Sequence, residues 1–163
     1  MRDDEALERI KYLCPPEGYY VAYSGGKDST VILDLIRRSG VPFDAHYNLT
    51  TVDPPELVQF VRTQSDVTIE HPKTSMWQEI IKHGCPPCRQ FRFCCETLKE
   101  RGGNGRTVVT GVRWGESPRR AKRRMVETCF QDGTKHYLHP IIDWSHEDVW
   151  AYIHERGLPY CSL

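Results

Sequence analysis

Apolar positions along the chain switch repeatedly between two spacings, and the switches mark alternating helices and strands. Residues 3–13 carry Ala6, Leu7, Ile10 and Leu13 on one helical face, and Cys14-Pro15-Pro16-Glu17-Gly18 ends that helix. Tyr20-Val21-Ala22-Tyr23 is a short run of β-formers. It meets Gly25-Gly26, after which Val31, Ile32, Leu33, Leu35 and Ile36 return to helical spacing as far as Gly40, a good C-terminal cap. Residues 41–49 predict a second strand. Asp53 then reads as a helix N-cap, with Pro54 at the first helical position, Glu56 completing a capping box, and Leu57, Val58, Phe60 and Val61 on the core face. Val67-Thr68-Ile69 predicts a third strand. Residues 75–83 predict a helix with Met76, Trp77, Ile80 and Ile81 inward.

Pro86 and Pro87 disfavour a helix before Cys88 and favour one after it. Residues 106–112 are β-branched and mostly apolar, as a central parallel strand should be. Residues 125–130 and 135–140, joined by Gln131-Asp132-Gly133-Thr134, predict a hairpin or a pair of edge strands. Ser145 caps a last helix whose core face is Val149, Trp150, Tyr152 and Ile153, and Gly157 stops it. The alternation predicts an α/β fold, an open, doubly wound, mostly parallel sheet with a small hairpin excursion near 125–138.

The length of 163 residues suits a single domain spanning 1–163. Net charge is zero, so no global pull toward nucleic acid or membrane exists, and any such affinity must come from a local patch. No apolar run approaches the ~20 residues that span a bilayer. Met1-Arg2-Asp3-Asp4-Glu5 is charged and lacks an apolar signal core, which gives the expectation of a cytoplasmic protein. In that setting the seven cysteines are poor candidates for structural disulfides.

The chemistry-bearing stretch is Ser24-Gly25-Gly26-Lys27-Asp28-Ser29, placed where a strand turns into a helix. Such a turn aims backbone N–H groups, the positive end of the helix dipole and a lysine at one small volume that suits phosphate or sulfate. The adjacent glycines exclude both a Walker A loop and G-x-G-x-x-G. Thr50 and Asp53 sit at a strand's C-terminal end, the edge where open α/β sheets bind ligands. Gly111 lies near the end of the 106–112 strand, and Arg113 leaves it at the same edge and opens a run with six cations in twelve residues, including Arg119. Arginine forks suit phosphate and sulfate; the bland alternative is a solvated basic loop. Cys85, Cys88, Cys94 and Cys95 fall within eleven residues. Cys85 and Cys88 have metal-knuckle or redox spacing, yet the set is not a clean zinc signature.

Four blocks together resemble the phosphoadenosine phosphosulfate (PAPS) reductase family of the ATP-pyrophosphatase (PP-loop) superfamily. They are residues 24–29, Arg92-Phe93-Cys94-Cys95-Glu96-Thr97-Leu98-Lys99, Thr110-Gly111-Val112-Arg113-Trp114-Gly115-Glu116-Ser117, and His139-Pro140-Ile141-Ile142-Asp143-Trp144-Ser145 running on to Leu158-Pro159-Tyr160. The resemblance implies a Rossmann-like adenine nucleotide alpha-hydrolase fold, with an adenine nucleotide whose phosphates rest on residues 24–29. It places Arg113 and Arg119 on phosphate or sulfate and Thr50 and Asp53 near the nucleotide. It implies a sulfonucleotide reductase of sulfate assimilation, binding adenylyl sulfate, its 3′-phosphorylated form or ATP, with a thiol reductant such as thioredoxin and a homodimer as candidate partners. In the iron–sulfur branch a Cys-Cys pair like Cys94-Cys95 joins a later Cys-x-x-Cys on a [4Fe–4S] cluster, and Cys85 and Cys88 are weaker candidates. The family's nucleophilic cysteine lies near the C-terminus, so the expectation is that a C-terminal segment is missing from residues 1–163. Two other readings fit the same blocks. One is ATP-dependent adenylation ahead of sulfur transfer to a nucleic acid, steered by residues 119–124, or to a small molecule. The other is a nucleotide- or metal-binding module inactive alone.

Overall fold

The computed structural model describes residues 2–130 and 133–161. Gln131 and Asp132 of the expected hairpin turn, and Ser162 and Leu163 of the tail, lie outside the described residues. The elements run α1 (Arg2–Tyr12), β1 (Tyr19–Ala22), α2 (Lys27–Ser39), β2 (Phe43–Asn48), α3 (Pro55–Arg62), β3 (Val67–Glu70), α4 (Met76–His83), a π-helical turn (Cys95–Lys99), β4 (Thr107–Val109), β5 (Val126–Thr128), β6 (His136–Leu138) and α5 (His146–Arg156). Short 3-10 turns at Trp114–Glu116 and Arg120–Lys122 separate β4 from β5.

The strands form one sheet in the order β3-β2-β1-β4-β6-β5. The first five are parallel, and β5 runs antiparallel on β6. The expected hairpin therefore forms and is continuous with the sheet, because β6 pairs Tyr137 with both Val108 and Glu127. The chain winds outward from β1 in both directions, so the exits of β1 and β4 flank the point where the strand order reverses. In open α/β sheets that is the place where ligands bind.

One face of the sheet carries the core. Tyr19 and Val21 of β1 are fully buried there with Ala6 and Ile10 of α1, Ile32, Leu33, Leu35 and Ile36 of α2, and Val149 and Ile153 of α5. Three consecutive buried residues, Val31 to Leu33, show that α2 is covered on more than one side, which explains its continuous apolar run. The opposite face is polar and is roofed by irregular chain. Tyr20 stacks on His46 at 4.4 Å, and its hydroxyl donates to Arg101 O (3.4 Å). Asn48 Nδ2 donates to Lys99 O and Arg101 O (3.0 and 3.1 Å), fastening residues 99–101 across the end of β2.

Two helix expectations are corrected. Helix α3 starts at Pro55, not Pro54, and neither Asp53 nor Glu56 caps it. Pro55 clashes with a helical residue before it, so Pro54 is held extended (ψ 137). In α4 the inward stripe is Met76, Glu79, Ile80 and His83, because Phe93 and Leu98 cover that side and His83 stacks on Phe93 at 4.3 Å. Trp77 and Ile81 are exposed (66% and 80%). Ser75 and Gln78 close the capping box of α4, and Ser145 and Asp148 that of α5.

Candidate nucleotide site

The loop between β1 and α2 owes its shape to different demands at its two glycines. Gly25 has φ +74, and a Cβ there would lie 2.6 Å from Leu57 Cδ1. Gly26 is the N-cap of α2 in an extended conformation, where a Cβ would make only ordinary contact with Ser24 Oγ (3.6 Å). The first glycine is needed for the turn, while the second leaves the backbone approachable. Ser24 Oγ donates to Ser29 Oγ (3.1 Å), which donates to Gly26 O (2.8 Å), and Thr30 Oγ1 also donates to Gly26 O (3.1 Å). These bonds fix the loop from inside and leave the leading N–H groups of α2 pointing outward.

The exit of β4 packs directly against this loop. A Cβ at Gly111 would meet the Asp28 backbone and Cβ at 2.9 Å, so only glycine allows the approach. Arg113 follows and is only 3% exposed. Its Nε donates to Asp28 Oδ1 (2.6 Å) and its Nη1 to Trp144 O (3.4 Å), while Lys27 Nζ holds Asp28 Oδ2 (3.0 Å). The Arg113 backbone N–H donates to Glu116 Oε2 (2.8 Å). Arg113 is thus turned inward onto the loop's own aspartate.

Two chambers open along the sheet edge. One, of about 200 Å3, is lined by Ser24, Thr50, Asp53, Asn48, Leu57 and Lys99 among others. Asp53 Oδ2 accepts from the Thr50 N–H (2.6 Å), so the carboxylate closes the loop that shapes this wall. Thr51 beside it holds φ +70, a strained conformation for a β-branched residue, while its hydroxyl accepts from the Met76 N–H (2.9 Å). The second chamber, of about 260 Å3, shares Ala22, Asn48 and Lys99 with the first. Its walls include Thr110, Arg120, Arg123, Lys135 and His139. Arg119 lines an outer trough of about 760 Å3 with Arg123, Arg124, Cys129 and Tyr137. Burial, reinforced by Cys129, pushes the Tyr137 hydroxyl up to about 12, so it stays protonated. Of the six cations at 113–124, Arg113, Arg120 and Arg123 are paired with Asp28, Glu116 and Glu127.

The structure therefore gathers Ser24, Thr50 and Asp53 at one chamber, with Gly25 to Ser29 forming the adjoining turn and Gly111 and Arg113 bracing it. Lys99, Asn48, Lys135 and His139 line the cleft without having been singled out from sequence. The signal for His139 was its position just past a strand's C-terminal end. For Lys99 it was a cation four residues after Cys95, on the segment that forms the roof.

The cysteines are not gathered. Cys85 and Cys88 are exposed, Cys94 and Cys95 half-buried, and all four are free thiols. Among the described residues no three His, Cys, Asp or Glu side chains converge to hold a metal. Burial, with Cys95 adding, pushes the Cys94 thiol up. The thiols present do not fit a complete iron–sulfur site.

A glycine loop at the reversal point of a parallel sheet, next to a cation-lined cleft, defines a nucleotide-binding α/β domain of the PP-loop kind. The family model for the phosphoadenosine phosphosulfate reductase domain matches residues 18–163, and the chain belongs to that family. It is 38% identical to phosphoadenosine 5'-phosphosulfate reductase of Gloeobacter violaceus, with 98% of this chain and 70% of that protein aligned. It is 27% identical to adenosine 5'-phosphosulfate reductase of Allochromatium vinosum, covering 99% of this chain and 69% of that one. The crystal structure of PAPS reductase from Candida auris superposes with a TM-score of 0.71 at 22% identity, over 96% of this chain and 82% of that chain. FMN adenylyltransferase of Candida glabrata shares the fold, with a TM-score of 0.62 at 14% identity, over 98% of this chain and 57% of that chain. No helix among the described residues is long and apolar enough to cross a membrane.

Proposed function

We propose that the chain is the nucleotide-binding part of a sulfonucleotide reductase that takes adenylyl sulfate or its 3′-phosphorylated form. The observation that carries this reading is the continuity of the 24–29 loop with a chamber walled by Lys99, Arg120, Arg123 and Lys135, within a chain of this family. The loop N–H groups, Lys27 and the hydroxyls of Ser24 and Ser29 would hold phosphate. Thr50 and Asp53 would face the nucleoside. Gly111 and Arg113 would keep Asp28 and the loop in place, and Arg119 would add to the field at the mouth.

In the reaction a thiolate attacks the sulfuryl sulfur. An S–S bond forms, the S–O bond to phosphate breaks, and the electron pair leaves with the phosphate as the nucleoside monophosphate or 3′,5′-bisphosphate. A second thiol then attacks the thiosulfonate, giving a disulfide and sulfite. No cysteine lines either chamber among the described residues. The second thiol belongs to a dithiol reductant of the thioredoxin type, for which a reducing cytoplasm is the suitable compartment. Cys94 and Cys95 supply at most half of a [4Fe–4S] ligand set, so no step is routed through iron.

The test is an anaerobic assay of the protein with its natural C-terminus, using each sulfonucleotide and a dithiol, with iron and zinc analysis and an absorbance spectrum of the same sample. Sulfite release stoichiometric with nucleotide is expected. Pyrophosphate release from ATP without sulfite formation would overturn the reading in favour of adenylation.

A further inference from the structure

Among the described residues, Thr51 is the only one other than glycine with a positive φ, at +70. Glycine adopts that conformation freely, whereas a β-branched side chain is crowded there. Burial does not demand a threonine, since Thr51 is exposed while its neighbour Thr50 is buried. The hydroxyl is what sets the residue apart, because it accepts from the Met76 N–H (2.9 Å) across 25 residues of chain. Met76 opens α4, whose Ser75 cap takes the Gln78 N–H and leaves that of Met76 to an acceptor outside the helix. Helix α4 leads back to the first chamber. Met76 shares a buried cluster with Phe93 and Leu98. Lys99 follows Leu98, lines both chambers, and is fastened through its carbonyl to Asn48 Nδ2 (3.0 Å). Asn48 lies two residues before Thr50. The contacts therefore close a ring that includes three wall residues of that chamber, Asn48, Thr50 and Lys99.

We propose that Thr51 is a positioning residue for nucleotide binding. Its hydroxyl locks the start of α4 to the Thr50–Asp53 turn, and through Leu98 that lock sets where Lys99 stands in the cleft. Thr51 is not itself a wall residue of either chamber, so it acts through Thr50, Asp53 and Lys99. The inference rests on the reading above, in which the cleft receives a sulfonucleotide. A strained backbone persists where the surrounding structure over-determines it, and here the surroundings are the site. Glycine at this position would remove the strain and could not supply the hydroxyl. Stability and affinity therefore pull in opposite directions at residue 51, which separates a positioning role from a structural one.

Thermal unfolding and calorimetric titration would compare wild type with Thr51→Gly, Thr51→Ser and Thr51→Val. The ligands are adenosine 5′-phosphosulfate and 3′-phosphoadenosine 5′-phosphosulfate. Thr51→Gly relieves the backbone and should melt no lower than wild type, yet bind about 3- to 10-fold more weakly. Thr51→Ser keeps the hydroxyl and should bind within about 2-fold of wild type. Thr51→Val keeps the strain without the acceptor, so its melting temperature and its affinity should both fall. Amide exchange at Met76 should accelerate in the glycine and valine variants and not in the serine one. Lys99→Gln tests the route, since its loss combined with that of Thr51→Gly should be smaller than the product of the two single losses. Unchanged affinity in Thr51→Gly, equal losses in the glycine and serine variants, or losses that multiply with Lys99→Gln overturn the inference and leave the functional reading intact. So does a joint fall of stability and affinity in Thr51→Gly, the mark of a merely structural residue. Failure of the wild type to bind either ligand overturns the functional reading itself.

Discussion

At Gly25 and Gly26, neighbouring residues of one type meet opposite constraints. Gly25→Ala places a side chain at φ +74 and against Leu57, and should cost about 1–3 kcal/mol in urea denaturation. Gly26→Ala meets an extended backbone and only an ordinary contact with Ser24 Oγ (3.6 Å), so its stability should stay within about 1 kcal/mol of wild type while nucleotide affinity falls. Equal destabilisation by the two substitutions would contradict this division. His139 offers a second residue-scale measurement. Its imidazole is held at about 4 against an ordinary 6.5. Between those values the unfolded chain binds the proton and the folded chain does not. Stability is therefore complete above pH 6.5 and declines as pH falls toward 4, by up to about 3 kcal/mol. The groups facing the ring are Thr110 from the exit of β4, Glu127 from β5, and Arg120 and Arg123 from the loop between. His139→Gln should flatten that part of the pH dependence of the melting temperature.

Between elements, the decisive contact is the one joining the start of α2 to the exit of β4. Arg113 and Asp28 are 85 residues apart, and their pair is held on one side by Lys27 and on the other by the Trp144 carbonyl. Arg113→Ala should cost about 3 kcal/mol in denaturant and weaken nucleotide binding through loss of loop order. Asp28→Asn should cost at least as much, since it leaves a 3% exposed guanidinium without its carboxylate. If Arg113→Ala instead reduced affinity with unchanged stability, the arginine would be a ligand contact and not a brace.

Element identity was largely legible in the chain because propensity and burial agree along β1, α2 and α5. It failed where a nonlocal partner or a local clash decided. Pro55 moved the start of α3 by one residue. Phe93 and Leu98 chose which side of α4 faces inward, admitting Glu79 and excluding Trp77 and Ile81. The glycine loop could be read as an anion site because its chemistry is contiguous. The second chamber could not, because Lys99, Lys135 and His139 are brought together only by the sheet order and by the crossing of residues 99–101 over β2.

At the scale of the whole molecule, the sheet order separates the two halves of the site in the chain. Strand β1 pairs on one side with β2, a near neighbour in sequence, and on the other with β4, whose Val108 lies opposite Tyr20. The first pairing closes a short loop and the second a long one, and loop-closure entropy makes the second slower to form. A chain in which only β1 to β3 have docked would possess the glycine turn without Gly111 against it, without Arg113 on Asp28, and without a floor to the cationic chamber. Nucleotide affinity is then a late product of folding. A ligand present during refolding would stabilise the finished state without guiding the early steps.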